Sequence, residues 1–164
     1  MATKMRLCLW FDTQAEEAAR YYTGIFKDSK MGAIARYPET GQEITGKPAG
    51  SVLTAEFEAN GLSFIALNGG PDFTFSEAIS IEISCEDQAE IDYYWDRLGE
   101  GGDPAAQQCG WLKDKYGLSW QVVPRALNEE LLNSSDKEKS ERAFAAMLQM
   151  KKLDIAELRR AYEG

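Results

Sequence analysis

The stretch Thr54-Ala-Glu-Phe-Glu-Ala-Asn-Gly-Leu-Ser-Phe-Ile-Ala-Leu-Asn68 limits the possible folds more than any other. Two alternating runs flank Asn60-Gly61, the dipeptide best suited to a two-residue type I′ turn. That turn fixes a hairpin of residues 52–58 and 62–68 and its register. Ala59 faces Leu62, Phe57 faces Phe64, Ala55 faces Ala66, and Leu53 faces Asn68. One face of the ribbon is apolar and ends at Asn68, where Asn-Gly-Gly-Pro (68–71) stops the strand.

The segments before the hairpin extend it into a module. Residues 5–11 form an apolar run of strand length. Thr13-Gln-Ala-Glu16 matches a capping box, and Ala15, Ala18, Ala19, Tyr22 and Phe26 follow at helical spacing. Residues 33–37 read as a strand and 38–50 as a long loop, giving β-α-β-β-β. The order then recurs. Residues 78–85 alternate, with Ile79, Ile81, Ile83 and Cys85 on one face and Ser80, Glu82 and Ser84 on the other. Ile91, Tyr94, Trp95 and Leu98 mark a helix, Gly-Glu-Gly-Gly-Asp-Pro stops it, and a second hairpin closes the pattern over 108–124. Gln14-Ala-Glu16 and Gln88-Ala-Glu90 start the two helices alike, which favours a duplicated βαβββ module. The expected fold is α+β: a paired domain over 1–125, with modules of about 1–75 and 76–125, then a helical extension over 126–164. Ser135-Asp-Lys-Glu138 and Asp154-Ile-Ala-Glu157 start the helices of that extension, which packs on the domain or on a partner subunit.

Composition removes several function classes. The 164 residues carry a net charge of −9, which disfavours nucleic acid and anionic membranes as partners. No apolar run approaches about 20 residues, so no transmembrane helix is expected, and the N-terminus is too strand-like for a signal peptide. Three cysteines without a CxxC pair read as reduced thiols of a cytoplasmic protein. Histidine is absent altogether, which excludes the Ser-His-Asp triad, the Cys-His pair and every imidazole metal site.

Four stretches, LWFDTQAEEAARYYTGIF, ALNGGP, AISIEISCEDQAEIDYYW and CGWLKDKYGLSWQVVP, together with the helical tail, resemble the PhnB-like family of the vicinal oxygen chelate superfamily. Such sequences are often labelled demethylubiquinone methyltransferases. The resemblance implies two βαβββ modules in a curved mixed sheet, helices outside, a cleft inside, and a homodimer. Related proteins include glyoxalase I, ring-cleaving dioxygenases, and bleomycin and fosfomycin resistance proteins. Many of these hold a divalent metal through His and Glu on the strands. Carried onto this chain, those positions fall near Leu7 or Cys8, near Ala66 or Asn68, at Ser80 and at Gln121. That set has neither imidazole nor carboxylate, so the expectation is no bound metal and no cofactor. The methyltransferase label also lacks a glycine-rich strand-to-helix turn.

The expected role is therefore to bind a small organic molecule in a metal-free cleft. Polar contacts would come from Asn68, Ser80, Glu82, Ser119 and Gln121, with Trp10, Phe57, Phe64 and Trp111 as walls. Trp120 points away from Gln121 by alternation and reads as core. The catalytic alternative uses Glu82, partly enclosed, as general base; its ordinary counterpart is a solvated glutamate, or one paired with Lys113 or Arg125. Cys8 and Cys109 lack an activating base and read as inert thiols. A third alternative is a collapsed cleft whose dimer surface carries the role.

Overall fold

The computed structural model describes residues 5–164 and divides the chain into two compact units, 1–74 and 75–164. In the first unit the order is β1 (Leu7–Phe11), α1 (Ala15–Ile25), β2 (Lys30–Arg36), a single helical turn α2 (Gln42–Thr45), β3 (Val52–Ala59) and β4 (Leu62–Asn68). The four strands make one mixed sheet, β1-β4-β3-β2, in which β1 and β4 run parallel. The expected hairpin register holds at Ala59–Leu62, Phe57–Phe64 and Ala55–Ala66. The turn takes positive φ at both residues, 47° at Asn60 and 79° at Gly61, as a type I′ turn requires.

Helix α1 covers one face of this sheet. Its Ala15, Ala18, Ala19, Tyr22 and Ile25 are buried, as are Leu9, Phe11, Ala55, Phe57, Phe64 and Ala66 on the strands. The Phe57 and Phe64 rings stack 4.7 Å apart, and Tyr22 of the helix stacks on Phe57. The three small alanines at one helical stripe let the helix approach closely enough for that aromatic stack.

The second unit runs β5 (Ser80–Cys85), α3 (Gln88–Gly99), a 3₁₀ turn (Pro104–Ala106), β6 (Trp111–Lys113) and β7 (Ser119–Pro124). A π-helical turn (Leu127–Leu132), α4 (Lys137–Met147) and α5 (Ile155–Glu163) complete it. Its sheet is β5-β7-β6, with β5 parallel and β6 antiparallel to β7. This repeats the first unit with one strand fewer. The counterpart of β2 is replaced by the 3₁₀ turn, because residues 99–107 hold glycines, a proline and alanines and no alternating run. Helix α3 buries Ile91, Tyr94, Trp95 and Leu98, and packs against all three strands.

The tail is built into this second unit. Val123, Leu127, Leu131, Ala143, Met150, Leu153 and Leu158 form one buried cluster. The backbone N–H groups of Cys109 and Gly110 donate to the carbonyls of Met150 and Lys151, both at 2.8 Å. Gln88 clamps the start of α5: its Nε2 donates to the Leu153 carbonyl and its Oε1 accepts from the Ile155 N–H. Among the described residues, no helix is long and apolar enough to cross a membrane.

Two caps differ from expectation. Thr13 does not cap α1; the side chain of Asn68, at the far end of β4, accepts from the Ala15 N–H at 2.8 Å. In α4 the cap is Asp136 rather than Ser135, with its Oδ1 taking the Lys139 N–H. At α5, Asp154 caps through the Glu157 N–H as expected.

Candidate functional site

The sheet of the second unit gathers five of the expected residues on one face. Its middle strand, β7, carries Ser119 and Gln121 on the same side. Register places Trp111, Gln121 and Glu82 in one row across the strands, and Lys113, Ser119 and Ser80 in the next. Leu112, Trp120, Val122 and Ile83 occupy the opposite face and are buried. Alternation alone produces this division and sets Trp120 in the core on the face opposite Gln121.

Polar atoms on this face meet in a definite way. Gln121 Nε2 donates to Ser80 Oγ at 2.9 Å, and both residues are half-buried. Ser119 is 1% exposed, and its Oγ is the one buried side-chain oxygen or nitrogen without a hydrogen-bond partner among the described residues. A buried hydroxyl left unpaired costs about 1–3 kcal/mol, so it calls for a partner. Lys113 pairs with Glu77, and Arg125 with Glu86 and Glu129. The two cations expected beside Glu82 are thus engaged elsewhere. Glu82 itself is exposed rather than half-buried.

The turn between β6 and β7 is held by a side chain whose part the sequence pattern does not reveal directly. Asp114 is 2% exposed. Its Oδ1 accepts from the Tyr116 and Leu118 N–H groups, and its Oδ2 from the Trp120 indole at 2.8 Å. This carboxylate is consumed in fixing the hairpin. The available signal is an Asp that opens a turn just ahead of a glycine and the next strand.

In the first unit, three expected ligand contacts have structural work instead. Phe57 and Phe64, expected to wall the cleft, face α1 and are each 3% exposed. The helix needs an apolar sheet face, and these rings supply it. Asn68, expected as a polar contact, is buried: Oδ1 caps α1, Nδ2 donates to the Val52 carbonyl at 3.0 Å, and its own carbonyl accepts from the Tyr37 hydroxyl. Trp10 lies on the sheet face away from α1 and is half-buried. Its indole N–H donates to the Gly70 carbonyl at 2.8 Å, and Phe73 meets it edge-on at 4.9 Å. A Cβ on Gly69 would fall 2.1 Å from the Trp10 ring, so this glycine is the platform on which the indole rests.

Among the described residues no activated nucleophile stands out. Burial pushes the Cys85 thiol up to about 12, with Glu90 and Asp87 adding to the shift. Cys109 sits in the two-residue turn between Gln108 and Trp111, with φ of 51°. Among the described residues, no three Cys, Asp or Glu side chains converge as metal ligands. The positions that the resemblance implies for a metal fare no better: Ser80 and Gln121 offer a hydroxyl and an amide already bonded to each other, a donor set that does not fit Zn, Ni or Fe.

A cavity of about 410 Å³ lies elsewhere, on the first unit's sheet, lined by Arg6, Lys30, Glu56, Glu58 and Ser63 among others. Its charges are matched in two ion pairs, Arg6–Glu56 at 2.7 Å and Lys30–Glu58 at 2.9 Å. The second unit's face retains a buried, unpaired hydroxyl and this cavity does not, so the former is the stronger candidate.

Residues 3–123 match the family model described as 3-demethylubiquinone-9 3-methyltransferase. A solved structure described as a putative 3-demethylubiquinone-9 3-methyltransferase, PhnB protein, from Bacillus cereus is 35% identical. The match covers 74% of this chain and 99% of that one, with a TM-score of 0.62. Two more distant structures share the fold at 17% identity. One is the fosfomycin resistance protein FosX from Mesorhizobium loti (81% and 99% covered, TM-score 0.54); the other is protein PA1353 from Pseudomonas aeruginosa (75% and 98%, TM-score 0.55). No curated protein matches the sequence.

Proposed function

The chain belongs to the PhnB-like, 3-demethylubiquinone-9 3-methyltransferase-like family of the vicinal oxygen chelate superfamily, and we propose that it binds a small organic molecule without a metal, on the Gln121-bearing face of the three-stranded sheet. The observation that carries this reading is the buried, unpartnered hydroxyl of Ser119 beside the Gln121–Ser80 pair. Gln121 keeps its carbonyl oxygen as an acceptor, Ser80 its hydroxyl hydrogen as a donor, and Trp111 adds a flat apolar wall in the same row.

The methyltransferase activity in the family's description is not carried over. Asn68-Gly-Gly70 ends a strand but opens no helix, and Gly99-Glu-Gly-Gly-Asp103 ends helix α3. Neither is a phosphate-gripping turn of the strand-to-helix type. A second reading, catalysis with Glu82 as general base, is supported by one observation: its exposed carboxylate shares a row with Gln121 and Trp111. A homodimer and a cytoplasmic location complete the proposal; light scattering on purified protein tests the first.

A thermal-shift screen of small organic molecules tests the binding claim. Stabilising ligands are expected to lose their effect in Gln121→Ala. If every ligand acts equally on wild type and Gln121→Ala, this face is not the site. Turnover of a ligand that Glu82→Gln abolishes selects the catalytic reading over simple binding. Elemental analysis of untagged protein is expected to give well under one metal equivalent, and stoichiometric metal would overturn the metal-free claim.

A further inference from the structure

We propose that Lys113 and Ser119 form a seat for the carboxylate of a small anionic ligand, and that Glu77 occupies the cation of that seat in the free protein. The inference deepens the binding reading above and rests on it.

The topology carries the argument. β7 lies between β6 and β5, and one row across the three strands reads Lys113, Ser119, Ser80. Lys113 stands on one flanking strand; Glu77 lies three residues before Ser80, on the chain that leads into the other. The flanking strands are about 10 Å apart, twice the ordinary strand spacing. The Lys113–Glu77 ion pair therefore spans the start of β7, where Ser119 holds its hydroxyl. That hydroxyl is buried and makes no hydrogen bond. A cation and an unused hydroxyl, adjacent on one sheet face, are the two donors that a carboxylate's two oxygens accept.

The two halves of the ion pair differ in how firmly they are held. The Lys113 side chain is 24% exposed and that of Glu77 62%. Lys113 is fixed by its strand, whereas Glu77 comes from the irregular segment between β4 and β5. Pairs this exposed are worth little, so an incoming anion displaces Glu77 at small expense. The hydrogen bond from Lys113 holds the Glu77 carboxyl below the usual carboxylate range, consistent with its standing where a ligand anion would. Trp111, two residues from Lys113 on the same strand face, favours a flat or aromatic body on the ligand.

Benzoate is the probe, with benzamide as its neutral counterpart, titrated calorimetrically into the full chain. Benzoate is expected to bind saturably and benzamide at least tenfold more weakly. Glu77→Gln should tighten benzoate by about threefold, the value of an exposed ion pair. Lys113→Met should weaken it by about tenfold. Glu86→Gln makes the same change in net charge at a different ion pair and should leave the affinity unchanged. If Lys113→Met does not fold, Lys113→Gln replaces it, with the melting temperature as control.

Failure to bind benzoate in Glu77→Gln, equal binding of benzamide, or wild-type affinity in the Lys113 variant would each overturn the proposal. The broader reading has a separate outcome. Neutral ligands lost in Gln121→Ala but indifferent to Lys113→Met would retain the sheet face as the site and remove the anion seat. Ligands indifferent to both changes would remove both.

Discussion

Replacing Asn68 by alanine separates a structural role from a ligand-binding one. The side chain makes two hydrogen bonds that alanine cannot: Oδ1 accepts from the Ala15 N–H at 2.8 Å, and Nδ2 donates to the Val52 carbonyl at 3.0 Å. Ala15 is fully buried, so water cannot reach its orphaned N–H. Loss of a helix cap costs about 0.5–2 kcal/mol, and an unsatisfied buried donor about 1–3 kcal/mol. The two describe overlapping events, and Val52 is only half-buried, so its carbonyl can recover a water. The expected total is about 1–3 kcal/mol, or a fall in Tm of about 2–12 °C for a chain of this size. Asn68→Asp retains the acceptor and adds negative charge at the helix start, favourable by about 0.3–1 kcal/mol, while losing the donor to Val52. It should lie between wild type and alanine. Urea unfolding followed by far-UV circular dichroism measures both. An Asn68→Ala variant within about 0.5 kcal/mol of wild type would refute the capping role and return Asn68 to the candidate ligand contacts.

Gly69→Ala places a methyl group 2.1 Å from the Trp10 ring; the indole must leave its platform, with a loss of about 1–3 kcal/mol and a changed near-UV spectrum. An unchanged spectrum would contradict the packing described. Leu153→Ala removes a fully buried side chain from the cluster that joins the tail to the second unit; unfolding should show a loss of about 2–5 kcal/mol, whereas an independent tail would show almost none. Cys85 gives a pH dependence. Its thiol is raised in the folded state, so the folded chain holds that proton more tightly than the unfolded one. The resulting stability is complete below the ordinary thiol value of 9 and is lost as pH climbs toward about 12. At pH about 8, iodoacetamide should modify the exposed Cys8 and spare Cys85 until the protein unfolds; equal rates by mass spectrometry would contradict its burial.

The parts of the fold legible in the sequence are those that local chemistry decides. Asn60-Gly61 sets its own turn and with it three cross-strand pairs. Alternation in 119–123 is enough by itself to put Trp120 and Gln121 on opposite faces. Apart from the α4 cap and the strand missing from the second unit, which are decided locally, the departures depend on contacts distant in sequence. Thr13 looks like the cap of α1, but Asn68, 53 residues beyond the helix's first N–H, reaches it first. The 52–68 hairpin has the apolar face its pattern implies, yet a strand pattern cannot say whether that face meets a helix or a ligand. The helix takes it, and Phe57 and Phe64 become core. Glu82 lies on the face that alternation assigns it, but its exposure depends on elements that alternation does not specify. Lys113 is within reach of the same reasoning, two residues from Trp111 on one strand; its pairing with Glu77 is not, because Glu77 lies in a segment without periodicity.

The most direct test of the binding account is a backbone and side-chain amide NMR titration with a ligand from the thermal-shift screen. The largest shifts are expected on the Trp111 indole, the Gln121 side-chain amide and the Ser119 backbone N–H. Shifts confined to Arg6, Lys30 and Ser63, around the cavity on the four-stranded sheet, would contradict it.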